Sequence, residues 1–474
     1  MSENRRIELF KNGLLVVLFL STILLLYLLW NSGAGIDIRV GDIIPIARNE
    51  APVPETESVI RPEYIAFGYS DYSYKLAEGD LTGLQSEAFA LIRDALSEGA
   101  ASITEISEAQ YTGITGRYSS VKIGLCVDFP GRAFAREMGF PQSDLFASVP
   151  HVSEIAFSEL SKESIFLHDD RADKYYRIVL ADGTSFVEIL RSKAETGADI
   201  YYAAGTILGG GSKALMPITS ESNLVEITYE NEYEEGGREQ RVNMAEAVFG
   251  ENFDFVRRMT DSFGNITYMY GYGQKVLTAN IDGSFSYSSE DEGAESSDYF
   301  DDLKTAMSFA ADCGGWIYSG SGSGLMLSSV KESNTGRRSV RTFDFVQYSG
   351  GNEICLEAGP ALSVTVVNGV VTNLSRNVAI LSPASTASSK SPVSDAANVI
   401  AENCNHIYNV INGNVLAAAT DEAFEFAADA VEEIGIAYFR SSKDNVMKPC
   451  WKIKAAGTTF CFDLFTALPL GFTE

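Results

Sequence analysis

At 474 residues the chain exceeds what one ordinary core supports, and its 45% hydrophobic and 11% aromatic content is that of a folded protein. Its 36 Lys and Arg against 64 Asp and Glu give a formal net charge of −28. That balance argues against a nucleic-acid partner, which needs a basic surface, and against spreading over anionic lipid; it leaves a soluble, self-repelling surface.

The N-terminus carries the sharpest signal. Residues Gly13–Trp30 read GLLVVLFLSTILLLYLLW, uncharged and with only Ser21 and Thr22 polar. A run of that length suits the ~20 residues of a membrane-spanning helix. Arg5, Arg6 and Lys11 precede it, so residues 1–12 are expected on the cytoplasmic side. Tyr27 and Trp30 then fall where aromatic rings anchor in the outer headgroup zone. The alternative is a cleaved signal peptide, for which Ser32 and Ala34 supply small residues at the cleavage site. The apolar run exceeds the ~7–15 residues of a signal h-region, so an uncleaved anchor over 13–30 is the reading adopted. The chain is therefore expected in the cell membrane as a single-pass protein with its bulk extracytoplasmic.

Residues 31–63 form a stalk, with four prolines between positions 41 and 63. A first ectodomain is expected over 64–220. Phe89, Ile92 and Leu96 share a helix face there, while YYRIVL and SFVEIL flank Asp182-Gly183 and read as a hairpin. A central unit over 221–381 opens with the strand LVEITYE and a helix near Met244–Phe249. Two further strands turn at Asp282-Gly283, and a helix carries Phe300, Leu303, Met307 and Ala310 on one face. Then come RTFDFVQY, EICLEA and a hairpin closed by Asn368-Gly369. Residues 382–394, with six Ser and two Pro, read as a linker. In the last unit, 395–474, Ile400, Cys404, Ile407, Tyr408 and Ile411 line one helix, and Phe424, Ala428, Val431 and Ile434 another. A meander ends the chain. The fold class is thus α+β: one N-terminal transmembrane helix, then two or three extracytoplasmic units of helices on antiparallel β-meanders.

The search for chemistry yields little. Six cysteines (126, 313, 355, 404, 450 and 461) form no CxxC pair. A turn centred on Ala455-Ala456 would set Cys450 opposite Cys461, where a disulfide is conceivable, although buried free thiols are the default for a domain of this size. His151, His168 and His406 share no metal-ligand spacing, and His168-Asp169-Asp170 reads as a solvated polar turn. GTILGGGSK at 205–213 departs from the phosphate-loop pattern and reads as a flexible loop; SGSGSG at 319–324 lacks the nucleophile-elbow spacing. The acidic run Glu290–Asp302 lacks calcium-loop spacing and reads as solvated. No catalytic, cofactor-binding or metal-ligating residue is assigned, and no enzyme activity or cofactor is expected.

Several dispersed features resemble the YycH/YycI family of Gram-positive bacteria. They are the N-terminal anchor with its short basic tail and the segment from Ala245 to Ser289, with Phe249, Phe253, Val256, Arg257, Tyr268, Leu277 and Tyr287. A helix closing on Gly314, Gly315 and Trp316 follows, then the Asn368-Gly369 hairpin and a terminal strand with Pro449 and Trp451. The likeness covers the anchor and roughly 220–474, draws on both branches of the family, and is one of general size over 64–215. It implies a membrane-anchored regulator of a WalK-type sensor histidine kinase in a two-component system, acting through the transmembrane helix and ectodomain, with a sister YycH/YycI protein as a further partner. Ser21 and Thr22, flanked by Leu18 and Leu25, are the candidate contacts to partner helices, since packing and polar contacts drive helix association in lipid. Bonding of both hydroxyls back to their own helix carbonyls is the competing reading. Two other function classes stand beside the regulatory one: a tethered module binding a cell-wall fragment or other ligand, and a wall-acting hydrolase with an unrecognised site.

Overall fold

In the computed structural model of the chain, the described residues are 21, 53–231, 238–314, 316–318, 323–335, 338–357, 359–381, 391–413, 420–441 and 445–473. Two large sheets dominate. The first contains β1 (Pro62–Tyr69), β2 (Tyr74–Glu78), β3 (Ala100–Ile106), β4 (Ser119–Pro130), β5 (His151–Ser158), β6 (Ser164–Asp169), β7 (Lys174–Leu180), β8 (Tyr201–Ala203) and β9 (Leu215–Pro217). They lie in the order β9-β8-β2-β1-β4-β5-β6-β7-β3, with antiparallel pairing throughout.

Helices seal this sheet. α1 (Leu81–Ser97) starts where Asp80 accepts from the Gly83 N–H, and it buries Leu84, Ala88, Phe89, Ile92 and Leu96 along one stripe. α2 (Glu108–Arg117) opens with a Ser107/Gln110 capping box. α3 is Gly131–Glu137 and α4 is Phe186–Lys193. α4 corrects the expected hairpin at Asp182-Gly183: SFVEIL is helical, and β7 pairs with β6 and β3 instead. Phe186, Val187 and Leu190 bury at helical spacing, Phe186 stacks 4.4 Å from Phe157, and Arg191 and Lys193 complement the helix C-terminus. α5 is Ala204–Leu208.

The second sheet has 16 strands. Those used below are β10 (Ile227–Asn231), β11 (Arg257–Thr260), β12 (Ile266–Tyr270), β13 (Lys275–Ala279), β14 (Phe285–Ser289), β15 (Ser323–Thr335), β16 (Arg338–Ser349), β17 (Asn352–Leu356), β18 (Leu362–Val367), β19 (Val370–Arg376), β20 (Ala379–Leu381), β21 (Val431–Arg440), β22 (Val446–Ala455), β23 (Thr458–Asp463) and β24 (Pro469–Thr473). The path runs β11-β12-β13-β14-β19-β18-β16-β17-β21-β22-β10-β20. The boundary drawn between 221–381 and 395–474 crosses this sheet, because β17 pairs in parallel with β21 and β10 pairs with β22. Its helices are α6 (Arg238–Phe249), α7 (Tyr299–Asp312), α8 (Ala396–Asn412) and α9 (Thr420–Ala430). α9 stops at Ala430, so Val431 and Ile434 belong to β21 rather than to the helix face expected for them.

One apolar cluster runs without interruption from Ile65 in the first sheet to Met447 in the second. Phe129 of β4 meets Tyr299 and Phe300 of α7 at 6.1 and 5.9 Å, and ion pairs Arg136–Asp298 and Lys304–Glu137 rim that contact. A second cluster packs α8 and α9 on β22 and β23 and takes in Ala204 of α5 and Met216 of β9. The fold is α+β, built of helices on antiparallel sheets.

Candidate functional site

Titratable groups collect on the seam between the sheets. Arg61, one residue before β1, donates Nη2 to the Gly351 carbonyl at 3.2 Å and lies 4.7 Å from the ring centroid of Tyr348 on β16. A planar guanidinium suits both contacts at once. Behind this clamp, Lys452 Nζ of β22 sits 2.6 Å from Glu353 Oε2 of β17 and 2.7 Å from Glu433 Oε1 of β21. Burial opposes the ammonium charge, but Glu353 and then Glu433 overcome it and hold Lys452 well above its ordinary range.

Glu63 of β1 completes the group. Desolvation, followed by the charge of Glu433, pushes its carboxyl up to about 8 against the pull of Lys452 and Lys454. Glu63 itself stands exposed at the start of β1. Burial, with Glu63 next, pushes the Cys126 thiol of β4 up to about 12. Glu353 and Glu433 thus share one central lysine, and Glu63 lies within the field of all three charges.

A second polar cluster lies inside the first sheet. The Glu154 carboxylate of β5 accepts the Tyr64 hydroxyl at 2.5 Å, the Tyr111 hydroxyl, and Lys122 Nζ at 3.4 Å. Burial works against its charge, yet Lys122 foremost, then His168 and the two phenols, keep it below the usual carboxylate range. His168 stacks 4.4 Å from Tyr175, and Lys213 joins from outside to Tyr175, Asp173 and Glu108 at 2.9 Å each. His168 and Asp169 therefore stand half-buried and buried on β6, not on a solvated turn. Asp169 accepts from the His151 and Ala172 N–H groups, which fixes the strand end. His406 sits among Phe460, Phe462 and Phe472, and burial lowers its pKa.

The other motifs divide. Gly205–Lys213 is not a loose loop: after α5 it docks on the C-terminal unit, with Gly211 N–H donating to Asp429 at 2.6 Å and Ser212 Oγ to the Val431 carbonyl at 2.6 Å. A Cβ at Gly210 would fall 3.0 Å from the Ala428 backbone, so glycine is what admits this approach. The acidic run is tied to cations: Asp291 to Lys275, Glu292 to Arg338, Asp298 to Arg136 and Asp302 to Arg341. SGSGSG falls largely outside the described residues, as do 382–390 of the linker. Ser391-Pro392 pair with Glu221-Ser222. Arg5, Arg6, Lys11, Leu18, Thr22, Leu25, Tyr27 and Trp30 also lie outside them, while Ser21 is helical. Among the described residues no helix is long and apolar enough to cross a membrane, and no group of three or more His, Cys, Asp or Glu is placed to hold a metal.

Two surface features were not legible in the sequence. β11 is an outer edge strand, and Met259 on it is exposed, as are Phe255, Phe263, Tyr272 and Ile281 on segments adjoining β11, β12 and β13. A shallow trough of about 370 Å³ crosses β13, β14, β19 and β18, lined by Thr278, Ser286, Ser288, Ser363, Thr365 and Ser375. Alternation along those strands turns the small hydroxyls to one face.

No protein-family model matches the sequence, and no curated protein sequence matches it significantly. Among solved structures, the chain is similar to the crystal structure of YycH from Bacillus subtilis: TM-score 0.54, 14% identity, covering 89% of this chain and 98% of that one. The architecture described above is therefore a YycH-like fold.

Proposed function

We propose that this chain is a membrane-anchored, non-catalytic regulator that binds a WalK-type sensor histidine kinase and tunes its output from outside the cytoplasmic membrane. The observation that carries the reading is the YycH-like fold over nine-tenths of the chain. It is supported by the apolar run Gly13–Trp30 and by the continuous core that makes the two sheets one body. The anchor helix packs against the kinase helices through the face of Leu18, Ser21, Thr22 and Leu25, while Arg5, Arg6, Lys11, Tyr27 and Trp30 set its depth. A sister protein of the same fold is a further partner.

A membrane two-hybrid between residues 1–40 and the host's WalK-type kinase tests this, with the full chain and the Ser21→Leu/Thr22→Leu variant alongside. Full signal from 1–40 that drops in the variant places the contact in the bilayer. No association from any of the three removes the direct regulatory reading. The hydroxyl-lined trough favours a second reading, a tethered module for cell-wall fragments. Calorimetric titration with soluble peptidoglycan fragments tests it: binding abolished by Thr365→Trp supports the module, and no binding by the parent protein eliminates it.

A further inference from the structure

The second sheet finishes differently on its two sides. On one side lies the β22–β23–β24 meander, whose turn at Ala456-Gly457 falls one residue later than the sequence suggests, so Cys461 stands opposite Lys452 and not Cys450. On the other side β11 pairs with β12 alone, and its outer edge is open. The Asp261 N–H donates to the Asn265 carbonyl at 3.0 Å. Bonding direction alternates along an antiparallel ladder, so residues 257, 259 and 261 bond toward β12, while the N–H and C=O of Arg258 and Thr260 point out from the edge. An exposed row of that kind is a template for another strand.

The side chains along that edge are self-complementary. Residues 255–263 read FVRRMTDSF, so alternate positions give Phe255, Arg257, Met259, Asp261 and Phe263. The two halves of this series match about Met259, aromatic to aromatic and cation to anion. Arg257, Met259 and Asp261 share the sheet face that carries the hydroxyl trough, since Met259 stands opposite Thr267 and Thr267 opposite Thr278. Phe255, Met259 and Phe263 are 77%, 42% and 78% exposed. Among the described residues Arg257 makes no ion pair. The exposed Asp261 carboxylate is fixed by the Phe263 and Asn265 N–H groups, each 2.9 Å from its Oδ1. Arg258 turns to the other face, 6.0 Å from the Tyr268 ring centroid.

We propose that β11 is a homodimerisation edge, on which a second copy of this chain adds its own β11 antiparallel about a two-fold axis at Met259. In that register Arg257 faces the partner's Asp261, Asp261 faces the partner's Arg257, and Phe255 and the partner's Phe263 close each end. The outward N–H and C=O of Arg258 meet those of the partner's Thr260, so the backbones pair in phase. Met259 and the partner's Met259 form the non-hydrogen-bonded pair on the axis, where side chains approach most closely. The smallest slip that keeps faces and bonding phase is two residues. In one direction it sets Arg258 against the partner's Arg258, and in the other it leaves Met259 against the partner's Asp261. The charges thus select one register. The net charge of −28 opposes association at a distance, so the dimer is weak and its attraction is confined to this edge.

Light scattering on the full chain in detergent, read across a concentration series, tests this. The expected result is a monomer–dimer equilibrium whose Kd rises about tenfold or more in Arg257→Glu, which sets like charges opposite each other on both sides of the axis. Asp261→Lys is weakened likewise, and an equimolar mixture of the two variants recovers dimer, because each supplies the charge the other lacks. Misfolded chains would not recover on mixing, so the proposal stays falsifiable if one variant is partly unfolded. Cross-linking fixes the register. The axial Cα atoms stand about 4.5 Å apart, within the span of a disulfide, so Met259→Cys gives a covalent dimer with oxidised glutathione. Thr260→Cys, at a diagonal separation of about 7–8 Å, gives none. A parent chain that is monomeric throughout, a dimer indifferent to Arg257→Glu, a mixture without recovery, or preferential cross-linking through Thr260→Cys overturns it.

Discussion

The Arg61 guanidinium lies 4.7 Å above the ring of Tyr348, so the residue leading into the first sheet is clamped to the second. Its hydrogen bond to the Gly351 carbonyl adds a directional contact. Removing both with Arg61→Ala should cost ~1–2 kcal/mol in urea denaturation. Arg61→Lys should recover less than half, since an ammonium cannot stack and donate in one plane. Equal stability of the lysine variant and the parent would show the clamp to be ordinary surface charge.

Glu63 makes stability fall as pH rises. Its folded pKa, about 8, is above the unfolded value of 4.5, so the folded state holds the extra proton between those limits. The contribution is complete below about pH 4.5 and is lost as pH rises through about 8. Glu63→Gln should flatten that slope and make the variant relatively more stable at pH 8 than at pH 5. Denaturation curves across that window give the answer.

Glu154 behaves in the opposite sense. Its folded pKa is lowered, so its contribution is present above the unfolded value and is lost as pH falls through the folded one. Glu154→Gln leaves half-buried Lys122 without its counter-charge and should cost about 2–3 kcal/mol. The companion double variant Glu154→Gln/Lys122→Met should regain part of that. A double variant no better than the single one would refute the ion-pair account.

The hairpin between β18 and β19 has Asn368 at φ 49° and Gly369 at φ 80°, the two left-handed positions of a type I′ turn. Gly369→Ala should therefore cost about 1 kcal/mol, measured by the same denaturation, with no change in the far-ultraviolet circular dichroism.

Features fixed by neighbours in the chain were legible in the sequence. Asn368-Gly369 and Asp282-Gly283 specify their turns locally, and Phe300, Leu303, Met307 and Ala310 mark a helix by spacing alone. SFVEIL failed because alternating and helical burial are indistinguishable over six residues, and packing against Phe157 decides. The parallel β17–β21 pairing joins residues far apart in sequence and leaves no local mark. The seam cluster was invisible for the same reason, since Glu63 meets Glu433 and Lys452 only once both sheets exist. Glu154 sits in an ordinary alternating strand, and nothing nearby announces that two tyrosines and a lysine will converge on it.

The placement of β10 beside β22 has a consequence for synthesis. Ile227 pairs with Met447, a separation of 220 residues (447 − 227), so β10 has no partner on that side until almost the whole chain has been made. At ~5–20 residues per second the wait is roughly ten to forty seconds. β17 faces a shorter delay for β21, since Ile354 and Tyr438 are 84 residues apart (438 − 354). Through that interval the nascent chain presents two unpaired strand edges, a hazard for pairing with other chains. The last eighty residues therefore close the second sheet, and a chain that stops short of them leaves it open at its centre.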